Sequence, residues 1–186
     1  MNITVALAFA LLPVCCLAQR KHGATIENLK LAKGFDRFVT GSSINTIPGC
    51  QLTYLDGQAT PDADSCMFFE YKDYNVMKIN ADLTLRAIAL RVYKDKIVSV
   101  YLFFDKDDGF KVLHDFLIRY GQFTNRPNAY ADVFEWTSDA ITLVLQYYLD
   151  VDLGMAVYTD TSLQRQIVAD KQRRLLRQLM IAGGWQ

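Results

Sequence analysis

The chain has 186 residues, the length of one ordinary domain, with 20 basic and 20 acidic side chains. A formally neutral chain has no long-range field that would steer it toward nucleic acid, so its composition argues against a general nucleic-acid-binding protein. Ten Tyr and eleven Phe favour a β-rich core, and only four Pro and ten Gly argue against a disordered chain.

An uncharged apolar run begins the chain, from Ile3 to Ala18 (ITVALAFALLPVCCLA). It is shorter than the roughly 20 residues that a membrane-spanning helix needs. It ends in small residues, Cys16 and Ala18, at the positions that a signal peptidase reads, and Gln19 begins a polar stretch. The pattern predicts that residues 1–18 are a cleavable signal peptide and that the mature protein is exported to the periplasm or secreted.

Two alternatives to cleavage remain open. The apolar run could stay in the folded protein as a buried N-terminal helix or strand. It could also carry a lipid on Cys15 or Cys16, although a lipidated cysteine normally follows a small residue and Val14 precedes Cys15.

Only two cysteines follow the leader, Cys50 and Cys66. An even pair in an exported domain is more often bonded than reduced. The sequence therefore predicts a disulfide between Cys50 and Cys66, and the alternative is two buried thiols.

The N-terminal part of the mature chain is polar and turn-rich. Residues 19–34 are predicted to be a mobile N-terminal segment with room for a short helix, and residues 35–186 a single α+β domain. Ser43 is a plausible N-cap for a first helix of the domain, which Gly49 would end.

The middle of the chain changes to strands, predicted at residues 66–71, 85–93 and 97–104. The last two are separated by a short polar turn, which predicts a hairpin. Strand 97–104 is apolar on both faces apart from Ser99, so we expect it to be central and covered on both sides. One face is predicted from its alternation: Val98, Val100, Leu102 and Phe104.

A helix is predicted next, with Asp107 and Asp108 capping its first turn and Gly121 ending it. Its apolar residues recur at steps of three and four: Phe110, Leu113, Phe116, Leu117 and Tyr120. Three more strands follow, and a C-terminal helix is predicted over 162–182. The whole order is α-βββ-α-βββ-α, an antiparallel sheet with helices packed on one face, which is the α+β class.

Four features together give a resemblance to known proteins: Gly41-Ser42, the hairpin 94–100, the helix ending at Tyr120-Gly121, and the strand pair from Glu135-Trp136-Thr137 to Leu145-Gln146-Tyr147. Over roughly residues 38–159 the chain resembles small exported bacterial proteins of unknown function. Their α+β layout is similar to that of the β-lactamase-inhibitor protein and of the small outer-membrane assembly lipoprotein. The resemblance implies a binding or scaffolding domain of the cell envelope and no catalytic residues.

The residues themselves give no catalytic or metal-binding pattern. His114 is the one histidine outside the N-terminal segment, predicted on an exposed helix face, so nothing assembles a nucleophile, a base and an orienting group. The run Asp105, Asp107 and Asp108 could bind a hard cation, but helix capping explains it. Glu70 and Glu135 could form a glycosidase pair only if their carboxylates lie about 5–10 Å apart. We expect no cofactor and no metal.

The C-terminal helix carries the one clear charge asymmetry of the chain. We predict that it offers contact residues for a partner or for lipid headgroups: Arg165, Lys171, Arg173, Arg174, Arg177 and Trp185. A solvated helix face is the alternative.

The sequence thus favours an exported, non-catalytic domain that binds a protein partner or supports an assembly of the cell envelope. We expect no nucleic acid, no transmembrane segment in the mature chain, and room for peripheral membrane contact. The alternatives are a hydrolase with an unrecognised carboxylate site and a carrier of a small hydrophobic ligand.

The leader and the disulfide are tested together by the intact mass of the exported protein, denatured without reduction and treated with a thiol label. We expect the mass of residues 19–186 with no label added. Closing the loop between Cys50 and Cys66 would stabilise the fold by about 3 kcal/mol in the chain-entropy model. Retention of Met1 would contradict the leader, and two labels per chain would contradict the disulfide.

Overall fold

The computed structural model describes residues 24–55, 66–73, 77–127, 132–147 and 152–182. The predicted leader, 1–18, and Trp185 lie outside them. Within these ranges the chain forms three α-helices, α1 (Ile26–Ala32), α2 (Gly109–Tyr120) and α3 (Thr161–Ala182). It also forms ten strands: β1 (Gly34–Phe35), β2 (Phe38–Val39), β3 (Leu52–Tyr54), β4 (Met67–Tyr71), β5 (Lys78–Asn80), β6 (Leu83–Tyr93), β7 (Lys96–Asp105), β8 (Val133–Thr137), β9 (Ile141–Gln146) and β10 (Leu153–Asp160).

The main sheet has the strand order β3-β4-β6-β7-β10-β9-β8, with β5 added alongside β6, and its neighbours pair antiparallel. β1 and β2 form a separate small hairpin. The order places β7 in the middle, between β6 from the first half of the chain and β10 from the second. The predicted α+β class with an antiparallel sheet is confirmed.

α1 and α2 pack on one face of the sheet and close the main core. Val100, Leu102 and Phe104 of β7 are buried in one apolar cluster with Phe116 of α2. Trp136 of β8 joins this cluster and donates its indole N–H to the carbonyl oxygen of Gly121, 2.8 Å away. The face predicted for β7 is therefore right for these three residues, and Gly121 ends α2 with a positive φ of 77°.

Val98 was predicted on the same face and is not. In the pairing of β6 with β7, Arg91 lies opposite Ser99 while Val92 lies opposite Ile97. Val98 is thus the extra residue of a β-bulge, which interrupts the alternation of side chains. It packs in a second, smaller cluster with Tyr93 and with Ile167 of α3.

The second cluster lies on the opposite face of the sheet. Phe68 and Phe69 are neighbours in β4 and so point to opposite faces. Phe69 packs against the main core, whereas Phe68 packs against the cluster that contains Ile167 of α3. The predicted packing on one face thus describes α1 and α2, while the first turns of α3 cover part of the other face.

The N-terminal prediction needs correction in two places. Leu29 of α1 is fully buried, and the Asn28 side-chain amide donates to the carbonyl oxygen of Arg119 at the end of α2, 2.9 Å away. The packed domain therefore includes α1, which lies inside the predicted mobile segment 19–34. Ser43 accepts a hydrogen bond from the Asn45 backbone N–H, but it caps only the 3₁₀ turn Ile44–Thr46.

Two details of α2 also differ from the prediction. Phe110 is 71% exposed instead of buried. Asp108 makes no side-chain cap hydrogen bond and pairs with Lys111 across 2.5 Å, one turn along the helix. In the part of the chain that the structure describes, none of the helices is long and apolar enough to cross a membrane.

Truncation of Leu102 tests the position of the core. Leu102→Ala should lower the free energy of unfolding by about 2–5 kcal/mol, because it removes a fully buried side chain and leaves a cavity. Leu176→Ala on α3, where the side chain is 60% exposed, is the matched control and should change it by less than about 0.5 kcal/mol. Urea denaturation measures both, and equal losses would contradict the assigned core.

Candidate binding surfaces

The face of the sheet opposite α2 is only partly covered. Residues paired directly across an antiparallel sheet lie on the same face. One continuous row therefore crosses six strands on this face: Glu70, Ala89, Tyr101, Val157, Val144 and Glu135. The next row runs parallel to it: Ala87, Phe103, Met155, Gln146 and Val133. We call these two rows the open face.

The centre of the open face is apolar. Tyr101 and Phe103 stack with ring centroids 6.5 Å apart and planes 10° from parallel, and Phe68 lies 6.3 Å from Tyr101. Along β7 and β10 the open-face residues are half-buried, whereas their neighbours toward α2 are fully buried. β7 was expected to be covered on both sides; on the side away from α2, Tyr101 and Phe103 are half-buried, whereas Val100, Leu102 and Phe104 are fully buried.

The ends of the first row are polar. Glu70 pairs with Lys72 across 2.6 Å. Glu135 accepts hydrogen bonds from Asn125 and Thr137, at 3.2 and 2.7 Å. An apolar centre bordered by polar side chains is the arrangement found in many protein–protein interfaces.

The same row gives the separation of Glu70 and Glu135, the two carboxylates considered as a glycosidase pair. Glu70 and Glu135 stand five strand spacings apart, roughly 24 Å at about 4.8 Å per spacing. Glycoside hydrolysis needs two carboxylates within about 10 Å. These two residues therefore do not form such a site.

α3 begins beside the open face, over the neighbouring row that contains Arg91 and Ser99. Asp160 accepts a hydrogen bond from the Leu163 backbone N–H at 2.8 Å, which satisfies a free donor of the first turn. Arg91 donates to the side-chain oxygen of Gln164 at 2.9 Å. Ile167, 2% exposed, completes the second apolar cluster and fixes the first turns of α3 to the sheet.

Asp170 continues the contact between α3 and the sheet. Its carboxylate accepts hydrogen bonds from the Tyr93 hydroxyl and from Lys94 Nζ, the latter at 2.8 Å, and it pairs with Arg173 of its own helix. A cleft of about 510 Å³ opens beside this cluster, and its lining is mostly basic: Tyr93, Lys94, Asp170, Arg173, Arg174 and Arg177.

The pKa shifts in this cluster stabilise the charged forms of Asp170 and Lys94 and the neutral form of Tyr93. The hydrogen bond from Lys94, helped by that from Tyr93, lowers the pKa of Asp170 to about 2. The same hydrogen bond raises the pKa of Lys94. Burial, and then the bond to Asp170, raises the pKa of Tyr93. A group that serves as acid or base near neutral pH needs a pKa near the working pH. The three shifts move the pKa values of Asp170, Lys94 and Tyr93 further from neutral pH.

Most of the predicted contact residues lie on the exposed surface of α3. Arg165, Arg173, Arg174 and Arg177 are exposed and Lys171 is half-buried, while Trp185 lies outside the described residues. The structure brings Arg173, Arg174 and Arg177 together with Lys94 at the cleft. Their role as contacts stays a prediction.

The remaining candidates are separate from these surfaces. His114 is exposed on α2 in a shallow groove beside Phe110 and Ile118. Among the described residues, no group of three or more His, Cys, Asp or Glu side chains could hold a metal ion. Cys66 is buried, and the side chain of Cys50 lies outside the described residues, so the disulfide stays a prediction.

Sequence reasoning missed Tyr93 and Lys94 as partners of α3, and it missed the open face. The alternation of apolar residues in β7 indicated that Tyr101 and Phe103 share the second face of the strand. It could not show that the apolar packing of α3 on this face is made by its first turns. No local pattern indicates that a turn residue such as Lys94 meets a carboxylate 76 positions later.

No protein-family model matches the chain, and no curated protein sequence or solved structure matches it either. The surfaces described above therefore carry the functional argument.

The Asp170 cluster predicts a pH dependence of stability. A carboxyl whose folded pKa lies below its unfolded value of about 3.9 stabilises the fold above that pH and stops doing so as the pH falls toward about 2. Asp170→Asn should therefore lower the melting temperature at pH 7, and the deficit should shrink between pH 4 and pH 2. Asp107→Asn, at an exposed carboxylate outside the cluster, is the control. A deficit that stays constant down to pH 2 would contradict the role given to the charge.

Proposed function

We propose that this chain is an exported, non-catalytic domain that binds a protein partner through the open face of its sheet. The observation that carries the proposal is the apolar centre of that face, formed by Tyr101, Phe103, Val157 and Val144 between two polar ends. An apolar sheet face whose side chains are only half-buried on a folded domain favours a surface for contact.

The make-up of the open face favours a protein as the occupant. Large aromatic side chains near the middle of a patch supply most of the binding free energy in protein interfaces, and polar side chains at the rim exclude water from them. Tyr101 and Phe103 hold the central position, and Glu70 and Glu135 lie at the rim. The strands beneath them are fixed by the main core, so the aromatic rings are presented with little loss of entropy on binding.

The arrangement of charged groups argues for contact over turnover. The strongest cluster keeps Asp170 and Lys94 in their charged states, and Glu70 and Glu135 are too far apart to act on one bond. A hydrolase would need a site made of other residues.

The proposed compartment rests on the sequence alone. The leader over 1–18 and the pair Cys50 and Cys66 favour an oxidising space outside the cytoplasm. The resemblance to binding and scaffolding domains of the cell envelope agrees with this placement.

A photoreactive phenylalanine analogue placed at Tyr101 tests the proposal in the cell that makes the protein. We expect ultraviolet light to join the domain to one or a few discrete proteins. The same analogue at Phe110, which is exposed on α2 away from the open face, should give no such product. Val144→Glu, which puts a charge into the patch, should abolish the product at Tyr101.

Three results would overturn the proposal: no product at Tyr101, the same products at Tyr101 and Phe110, or a product at Tyr101 that survives Val144→Glu.

A further inference from the structure

The second half of α3 is an exposed helix with an apolar side. All side chains from residue 172 to residue 180 are exposed. Several of them are large and apolar, with exposed fractions from 50% to 68%: Leu175, Leu176, Leu179 and Met180. Val168, one turn earlier, is also exposed, at 46%. Such residues are normally covered, whereas the apolar packing of α3 on the sheet is made by Leu163 and Ile167 in its earlier turns.

These apolar residues share one side of the helix. Positions 168, 175, 176, 179 and 180 are separated by seven, one, three and one residues, the spacing of a single stripe on a helix of 3.6 residues per turn. Ile167 and Leu163, which pack on the sheet, point in a different direction. The stripe therefore faces away from the domain and is free to meet a surface.

Basic residues lie at both borders of the stripe and opposite it. From residue 171 to residue 182 the sequence contains Lys171, Arg173, Arg174 and Arg177 and no acidic residue. On a helical wheel Lys171 and Arg173 border the apolar stripe on its two sides, and Arg174 and Arg177 lie opposite it. This half of the helix is thus apolar on one side and positively charged around it.

A second copy of the chain is a poor occupant for the stripe. Pairing two of these helices would bring the same four cations together with Asp170 as the one adjacent acidic residue, and like charges at a helix interface are destabilising. The stripe also covers about two heptads, whereas stable coiled coils sustain the pattern over three or four.

An anionic bilayer complements both properties at once. A helix with a broad apolar stripe bordered by Lys and Arg lies in the interface plane, with the apolar side in the acyl boundary and the cations near lipid phosphates. Long basic side chains at the border of the stripe reach the headgroups while their methylene stems stay on apolar surface. Helices of this kind are attracted by anionic lipids and respond to salt.

We propose that residues 171–182 of α3 bind the surface of an anionic lipid bilayer, with Leu175, Leu176, Leu179 and Met180 inserted at the acyl boundary and Lys171 and Arg173 on lipid phosphates. The contact uses a surface separate from the open face. Membrane binding and partner binding can therefore fail independently.

Vesicle flotation tests the proposal with the protein purified as the cell processes it. The vesicles contain either phosphatidylcholine alone or phosphatidylcholine with 30% phosphatidylglycerol. We expect the wild-type protein to float only with the anionic vesicles, and 0.5 M NaCl to release most of it. Lys171→Gln with Arg173→Gln should weaken partitioning by about 25-fold, since each basic residue near an anionic surface contributes about fivefold.

The apolar side is tested by Leu175→Gln with Leu179→Gln, which should abolish flotation. Two controls match these variants in kind and exposure. Lys33→Gln with Lys78→Gln removes two exposed cations elsewhere, and Phe110→Gln with Ile118→Gln removes two exposed apolar side chains from α2. Both control variants should float like the wild type, and circular dichroism melting should show that every variant is folded.

Equal flotation with neutral and anionic vesicles would overturn the proposal, because it would indicate an attachment that does not depend on these cations. So would the absence of flotation. A dimer in sedimentation equilibrium that Leu175→Gln with Leu179→Gln converts to a monomer would assign the stripe to a second copy instead. A loss of flotation in either control variant would also overturn the proposal, because those residues lie outside α3.

Discussion

The pairing of β7 with β6 on one side and β10 on the other is the constraint on which the rest of the structure depends. β6 and β7 form a long hairpin, and β10 closes on β7 over seven paired positions, from Leu153 opposite Asp105 to Thr159 opposite Ser99. This one strand joins the sheet built by the first half of the chain to the three strands of the second half. Both surfaces discussed above take their positions from it.

The two faces of β7 have different roles because of how far each is covered. Val100, Leu102 and Phe104 lie under α2 in the main core, where burial of each large apolar side chain contributes roughly 1.5–3 kcal/mol. Tyr101 and Phe103 point the other way and are half-buried. The core thus holds rigid the strand that presents the aromatic pair, and the bulge at Val98 directs one more apolar side chain toward α3.

α3 behaves as two connected segments with different surroundings. Its first turns are fixed by Ile167 and end at Asp170, where Tyr93 and Lys94 hold the carboxylate. The side chains of the later turns, from residue 172 to residue 180, are exposed. These turns can continue the helix because its costly first turn is already formed in the packed segment, so each further residue adds a hydrogen bond without a new nucleus. The direction in which the amphipathic half extends is therefore set by the contact at Asp170.

The sequence by itself determined much of this protein: the α+β class, the hairpin of β6 and β7, α2 with its stop at Gly121, and a C-terminal helix over 162–182. These features follow from short-range periodicity, turn residues and helix ends, which act between neighbours in the chain. Only the tertiary structure decided that α1 belongs to the core, that Val98 leaves the face of Val100, and that Glu70 and Glu135 stand at opposite ends of one row. Strand order and register bring together residues that are far apart in sequence. A local sequence pattern therefore does not predict strand order or register. The open face was also decided by the tertiary structure, because the burial of an apolar strand depends on how a helix distant in sequence packs on it.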